Sequence, residues 1–74
     1  MKIFNKTTPE QIIQEWDELY RLSNRQPTAP PLFYIDGEYI FIGPESGNKY
    51  RFTEKEIKET LGRMRFRYER ISNS

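Results

Sequence analysis

Two short apolar segments joined by the dipeptide Asp36-Gly37 constrain the fold of this chain more than any other feature. Residues 32–35 and 38–42 are rich in β-branched and aromatic side chains, which favour strands. Asp-Gly supplies the two positive φ angles of a type I′ turn, whose twist matches that of an antiparallel strand pair. The pattern therefore predicts a β-hairpin.

Two further segments complete the predicted sheet region. Residues 49–53 have the composition of a third strand, and they follow a turn at 43–48 that contains two glycines and a proline. Because consecutive strands with short connections usually pair, we expect an antiparallel three-stranded meander. Residues 25–31 contain three prolines and are expected to form a stiff, extended connection that leads into it.

Amphipathic helices are predicted on both sides of the meander. The segment from Thr8 to Gln11 is a capping box with proline at the first helical position, and apolar residues then recur on one helical face until about Leu22. The segment from Thr53 to Glu56 is a second capping box, which opens another helix.

Gly62 leaves two interpretations of the C-terminal segment open. A continuous helix would place five apolar residues on one stripe: Ile57, Leu61, Met64, Tyr68 and Ile71. If the helix ends at Gly62, residues 63–68 alternate as a fourth strand would. The longer stripe favours the continuous helix. We therefore expect one α+β domain over residues 1–74, of order α-β-β-β-α, with the meander packed against helices, or ending in a short helix plus a fourth strand.

The composition excludes several classes of function. The 74 residues include no cysteine and no histidine, so disulfides, thiolate metal sites and Ser–His or Cys–His nucleophile pairs are impossible. The carboxylates cluster on the two predicted helices, near their N-termini and on solvated faces. Negative charges near a helix N-terminus interact favourably with the helix dipole, which explains these residues without a metal or catalytic site. We therefore expect no enzymatic activity, no metal and no cofactor.

A cytoplasmic location is also expected from the distribution of apolar residues. No apolar stretch approaches the roughly 18 residues that span a bilayer. Residues 1–6 do not contain the apolar core of a secretory leader. We therefore expect no association with a membrane.

The predicted hairpin is apolar on both of its faces. One face consists of Phe33, Ile35, Ile40 and Ile42, and the other of Leu32, Tyr34, Tyr39 and Phe41. A sheet with one solvent-exposed side normally alternates apolar and polar residues. Something is therefore expected to cover the second face: a helix, a second copy of the chain, or a binding partner.

The third strand suggests which face remains uncovered. If Tyr50 and Phe52 join the aliphatic face, the tyrosine-bearing face is left with Lys49 and Arg51 at its rim. Aromatic rings with cations are typical of protein interfaces and also of single-stranded nucleic-acid binders. The same face could instead be ordinary core beneath one helix.

Four arginines lie between positions 63 and 70 and form a basic surface in either interpretation of the C-terminal segment. On a continuous helix, Phe66 points away from the apolar stripe and lies near Arg63 and Arg70. Gly62 is one turn away, where a partner could approach closely.

The leading interpretation is a non-catalytic protein-binding module that acts as a regulator, an inhibitor or an accessory subunit of a larger assembly, with another protein or a second copy as its partner. The predicted protein contacts are Tyr34, Tyr39, Phe41, Arg51, Arg63, Phe66 and Arg70. The alternative is a small RNA- or single-stranded-DNA-binding protein, with contacts at Lys49, Arg51, Arg63, Arg65, Arg67 and Arg70. A net charge of only +1 makes this alternative the weaker one.

Overall fold

A computed structural model describes residues 8–72 and shows two helices packed on a three-stranded antiparallel sheet. The elements are α1 (Pro9–Asn24), β1 (Phe33–Ile35), β2 (Glu38–Ile42), β3 (Lys49–Phe52) and α2 (Glu54–Ser72). The sheet order is β1-β2-β3. The predicted α-β-β-β-α order is therefore confirmed. Residues 1–6, on which the expectation about a secretory leader rested, lie outside the described residues.

The start of α1 is the predicted capping box. The Thr8 hydroxyl accepts a hydrogen bond from the Gln11 backbone N–H, and the Gln11 side chain accepts one from the Thr8 N–H, each at 3.2 Å. The helix ends two residues later than predicted, because the Asn24 side chain donates to the Tyr20 carbonyl at 3.0 Å and Arg25 closes the helix in the left-handed conformation (φ 54).

The β1–β2 hairpin has the predicted turn. Asp36 and Gly37 both have positive φ, 51 and 81, as a type I′ turn requires. Phe33 pairs with Ile40, and Tyr34 pairs with Tyr39, as the two-residue loop predicts.

α2 is continuous through Gly62, so the fourth-strand alternative is wrong. Its first turn is held by the second predicted capping box, in which the Thr53 N–H donates to Glu56 Oε1 at 2.9 Å. A glycine inside a helix is unfavourable by about 1 kcal/mol relative to alanine. Burial of Ile57, Leu61 and Met64 on one face of α2 outweighs that cost.

Trp16 lies at the centre of the core, which contains residues from both helices and from one face of the sheet. The buried members of this cluster are Ile12, Trp16, Leu19, Leu32, Tyr39, Ile57, Leu61 and Met64. The Trp16 indole N–H donates to the Pro30 carbonyl at 2.9 Å, and its ring lies 4.8 Å from that of Phe41. The tryptophan therefore holds the proline-rich connection, the sheet and α1 together.

Candidate functional site

The register between β2 and β3 determines which side chains share a face. Phe41 lies opposite Tyr50, and Tyr39 lies opposite Phe52, so all four rings are on the same side of the sheet. The assumption that Tyr50 and Phe52 join the aliphatic face is therefore wrong.

The loop between the two strands sets this register. Two backbone hydrogen bonds hold it, from the Gly43 N–H to the Asn48 carbonyl at 2.8 Å and from the Gly47 N–H to the Gly43 carbonyl at 2.9 Å. The loop brings Ile42 opposite Lys49. A shift of one residue would have moved every β3 side chain to the other face.

The tyrosine-bearing face is the one that the helices cover. Tyr39 is only 2% exposed, and Phe41 packs against the core with its ring 5.0 Å from Tyr50. Tyr39 is therefore a core residue, and Phe41 packs partly buried beneath α1. Tyr34 remains 46% exposed at the end of this face, with its ring 4.8 Å from that of Tyr39.

Burial also changes the acid–base behaviour of Tyr39. Desolvation raises the pKa of its phenol above the ordinary value of 10.0, and the nearby Tyr34 and Glu54 raise this pKa further. The phenol is therefore kept in its neutral form in the folded protein, which suits a core position.

The opposite face of the sheet, called the open face below, carries Phe33, Ile35, Glu38, Ile40, Ile42, Lys49 and Arg51. The side chains of Phe33, Ile35 and Ile42 are 48%, 51% and 45% exposed. They lie around Ile40, which is only 7% exposed. Neither described helix packs on this face, so Phe33, Ile35 and Ile42 are accessible there, whereas Ile40 between them is buried.

The charges of the open face are unevenly placed. Arg51 and Lys49 are both on β3, whereas the open-face residues of β1, Phe33 and Ile35, are apolar. Arg51 Nε lies 3.9 Å from Glu38 Oε1, and both side chains are largely exposed. Such a surface pair stabilises a fold by only about 0–1 kcal/mol, so Arg51 can exchange this partner for another carboxylate.

The predicted patch on α2 is also present. Phe66 is 61% exposed, and the Arg70 guanidinium lies 5.7 Å from the centre of its ring. A Cβ atom at Gly62 would meet no atom within 4 Å, which leaves the surface beside Arg63 open. The structure thus keeps Arg63, Phe66 and Arg70 on one helix, whereas Arg51 lies on the sheet.

The basic residues predicted for nucleic-acid binding are divided among separate surfaces. Arg65 forms an ion pair with Glu15 of α1. Arg67 lines a shallow groove beside Phe66, and Lys49 and Arg51 lie on the open face. The aromatic rings that were expected to stack on bases are largely in the core. Within residues 8–72, these cations and the tyrosine-bearing face therefore do not form one continuous surface.

A cleft of about 710 Å³, which the sequence did not predict, lies between the end of α1, the proline-rich connection and the β2–β3 loop. Tyr20, Phe41 and Tyr50 form its aromatic walls, and Glu45 is the one charged residue among the described residues that line it. No local motif marks it, because its walls come from three segments that meet only in the folded protein.

Comparison of the chain with protein-family models, curated proteins and solved structures finds no match. Within residues 8–72, no group of three or more acidic side chains is placed to hold a metal ion. Neither of the two described helices combines the length and apolar character needed to cross a membrane.

Proposed function

We propose that this chain is a cytoplasmic, non-catalytic protein-binding module that acts as a regulator, an inhibitor or an accessory subunit of a larger assembly. The observation that carries the proposal is the open face, on which Phe33, Ile35 and Ile42 lie around Ile40 and are each about half exposed. Single exposed apolar residues need no explanation, but an adjacent group of them is typical of an interaction surface.

The energetics favour a covered state of this face. Full burial of a large apolar side chain contributes about 1.5–3 kcal/mol. Burying the remaining exposed half of each of these residues would therefore contribute about 1 kcal/mol more. A partner that covered all three would gain several kcal/mol before the cost of association. The same sheet needs no such cover on its other side, where Trp16 and Ile57 already pack.

The open face also has the composition of a protein interface. Its exposed apolar and aromatic residues lie on β1 and at the far end of β2. Its charged residues lie on β3 and at the start of β2. Interfaces likewise combine apolar residues with charged residues nearby. This location differs from the tyrosine-bearing face first predicted. Arg51 belongs to the open face, and Arg63, Phe66 and Arg70 on α2 remain a predicted second contact.

A matched pair of substitutions on β1 tests the proposal. Phe33→Thr removes an aromatic side chain from the open face, and Tyr34→Thr removes one of similar exposure from the other face, 48% against 46%. Threonine keeps the strand propensity of both positions. Tagged wild-type and variant proteins are used to capture partners from native lysate, with and without nuclease, and captured proteins are quantified by mass spectrometry.

We expect a nuclease-resistant partner that Tyr34→Thr retains and Phe33→Thr loses by about 30-fold, as for an aromatic hot spot worth about 2 kcal/mol. Urea unfolding of both variants controls for loss of fold. Equal retention by the two variants would reject the open face as the contact surface. Capture that disappears on nuclease treatment would instead favour the RNA or single-stranded-DNA alternative.

A further inference from the structure

We infer that the segment bound on the open face is an amphipathic α-helix with acidic residues along one flank. This inference rests on the proposed function and adds the chemistry of the partner. It is carried by the dimensions of the face, by the placement of its charges, and by the poor fit of a second copy.

The dimensions of the open face match one helix. Adjacent strands lie about 4.8 Å apart, so about 10 Å separates β1 from β3, which is the diameter of an α-helix. The five residues of β2 extend over about 17 Å, which a helix of about 11 residues matches. A helix lying along β2 would therefore contact the exposed Phe33, Ile35 and Ile42. Its end nearest Ile35 would lie beside Glu38.

The charges of the open face indicate that the bound helix carries acidic residues on the side that faces β3. Lys49 and Arg51 lie along β3, and Lys49 has no ion pair with any residue in the range 8–72. An aspartate or glutamate on the β3 side of the helix would pair with Lys49 and compete with Glu38 for Arg51. A basic residue on that side would be repelled. The β1 side, with Phe33 and Ile35, is suited to apolar residues of the helix.

A second copy of the chain fits the face poorly. In an isologous pair centred on Ile40, a two-fold axis parallel to the strands would stack Glu38 on its own counterpart. An axis across the strands would stack Arg51 on its counterpart. Like charges placed directly opposite are destabilising.

Addition of a strand to the sheet edge would also leave the face uncovered. β1 has only three residues and follows Pro30 and Pro31, which have no N–H to donate. Edge pairing joins backbones in the plane of the sheet. It would therefore leave Phe33, Ile35 and Ile42 as exposed as they are now.

Two synthetic helical peptides of about five turns test this inference against the full-length protein. Both carry the same leucine and alanine stripe, and the flanking positions are glutamate in one peptide and lysine in the other. Isoleucine methyl NMR reports binding, because Ile35 and Ile42 are exposed on the open face whereas Ile12 and Ile57 are fully buried in the core. The core isoleucines are thus the internal control.

We expect the glutamate peptide to shift the Ile35 and Ile42 signals with a Kd on the order of 100 µM and to leave the Ile12 and Ile57 signals in place. The lysine peptide is expected to bind about tenfold more weakly. Replacing Lys49 and Arg51 together by glutamate should reverse this preference. Both residues are exposed, so the double variant is expected to keep the fold.

Equal affinity for the two peptides, or no shift of the open-face isoleucines, would overturn the inference. Open-face signals that move with protein concentration alone would identify a second copy as the occupant. Nuclear Overhauser contacts from Phe33 to Ile3 or Phe4 would identify the protein's own residues 1–7 as the cover. If Phe33→Thr abolishes partner capture but the glutamate peptide does not bind, only the partner class is wrong.

Discussion

Alanine in place of Gly62 should stabilise the protein by about 0.5–1 kcal/mol. Gly62 lies inside α2, and a Cβ atom there would meet no described atom within 4 Å other than the adjacent backbone of the helix itself. The methyl group therefore causes no clash, and alanine loses less conformational freedom than glycine when the helix forms. Total stability for a chain of this length is only about 4–11 kcal/mol, so the change is a sizeable fraction.

Gly37→Ala is the matched control, because it adds the same methyl group to equally open space. Gly37 also has no atom within 4 Å of the added Cβ, but its φ is +81. An L-residue in that left-handed conformation is destabilised by about 1 kcal/mol or more. The two substitutions therefore differ only in backbone conformation, and we expect opposite signs, about 2 kcal/mol apart.

Urea unfolding monitored by tryptophan fluorescence measures both variants. The chain has a single tryptophan, and Trp16 is buried against Phe41 and Tyr20, so its emission reports loss of the core. In thermal unfolding, Gly62→Ala should raise Tm by roughly 2–8 °C. A fall in stability for Gly62→Ala would refute the continuous helix, because destabilisation is what a glycine C-cap at that position would show.

Two further predictions concern the core. Trp16→Phe should destabilise the fold by about 2–4 kcal/mol, since it removes the hydrogen bond to the Pro30 carbonyl and leaves a space beside Phe41. Far-UV circular dichroism in urea measures this, and a loss below about 1 kcal/mol would contradict the role given to the indole N–H. The raised pKa of Tyr39 means that its contribution to stability is fully present below pH 10 and is lost as the pH rises through the folded-state pKa. Unfolding free energies measured from neutral pH to above pH 10 should therefore fall in the wild type and fall less in Tyr39→Phe, and parallel curves would contradict the prediction.

Local signals in the sequence were enough to predict α1, the three strands and the start of α2, whereas they leave the segment after Gly62 open between helix and strand. The capping residues Thr8 and Thr53 form the hydrogen bonds that their spacing predicts. The Asp36-Gly37 turn has the expected positive φ angles. These features depend on residues at most four positions apart, so the sequence specifies them without knowledge of the rest of the chain.

The candidate interaction surface could be predicted only in part. The sequence showed that the hairpin is apolar on both faces, and Phe33, Ile35 and Ile42 are about half exposed on one of them. It also placed Phe66 away from the apolar stripe of α2, where it is exposed. It assigned the exposed role to Tyr39 and Phe41, however, and the structure places both of these residues under the helices.

The exposed face of the sheet is decided only by tertiary structure. Periodicity along each strand groups its side chains into two sets, but the sets of β2 and β3 are joined by a register that the hydrogen-bonded loop at 43–48 determines. Both helices then pack on the side where Trp16 meets Phe41 and where Tyr39 is buried. Helices and turns follow from interactions along the chain, whereas the open face of Phe33, Ile35 and Ile42 follows from contacts between segments far apart in sequence.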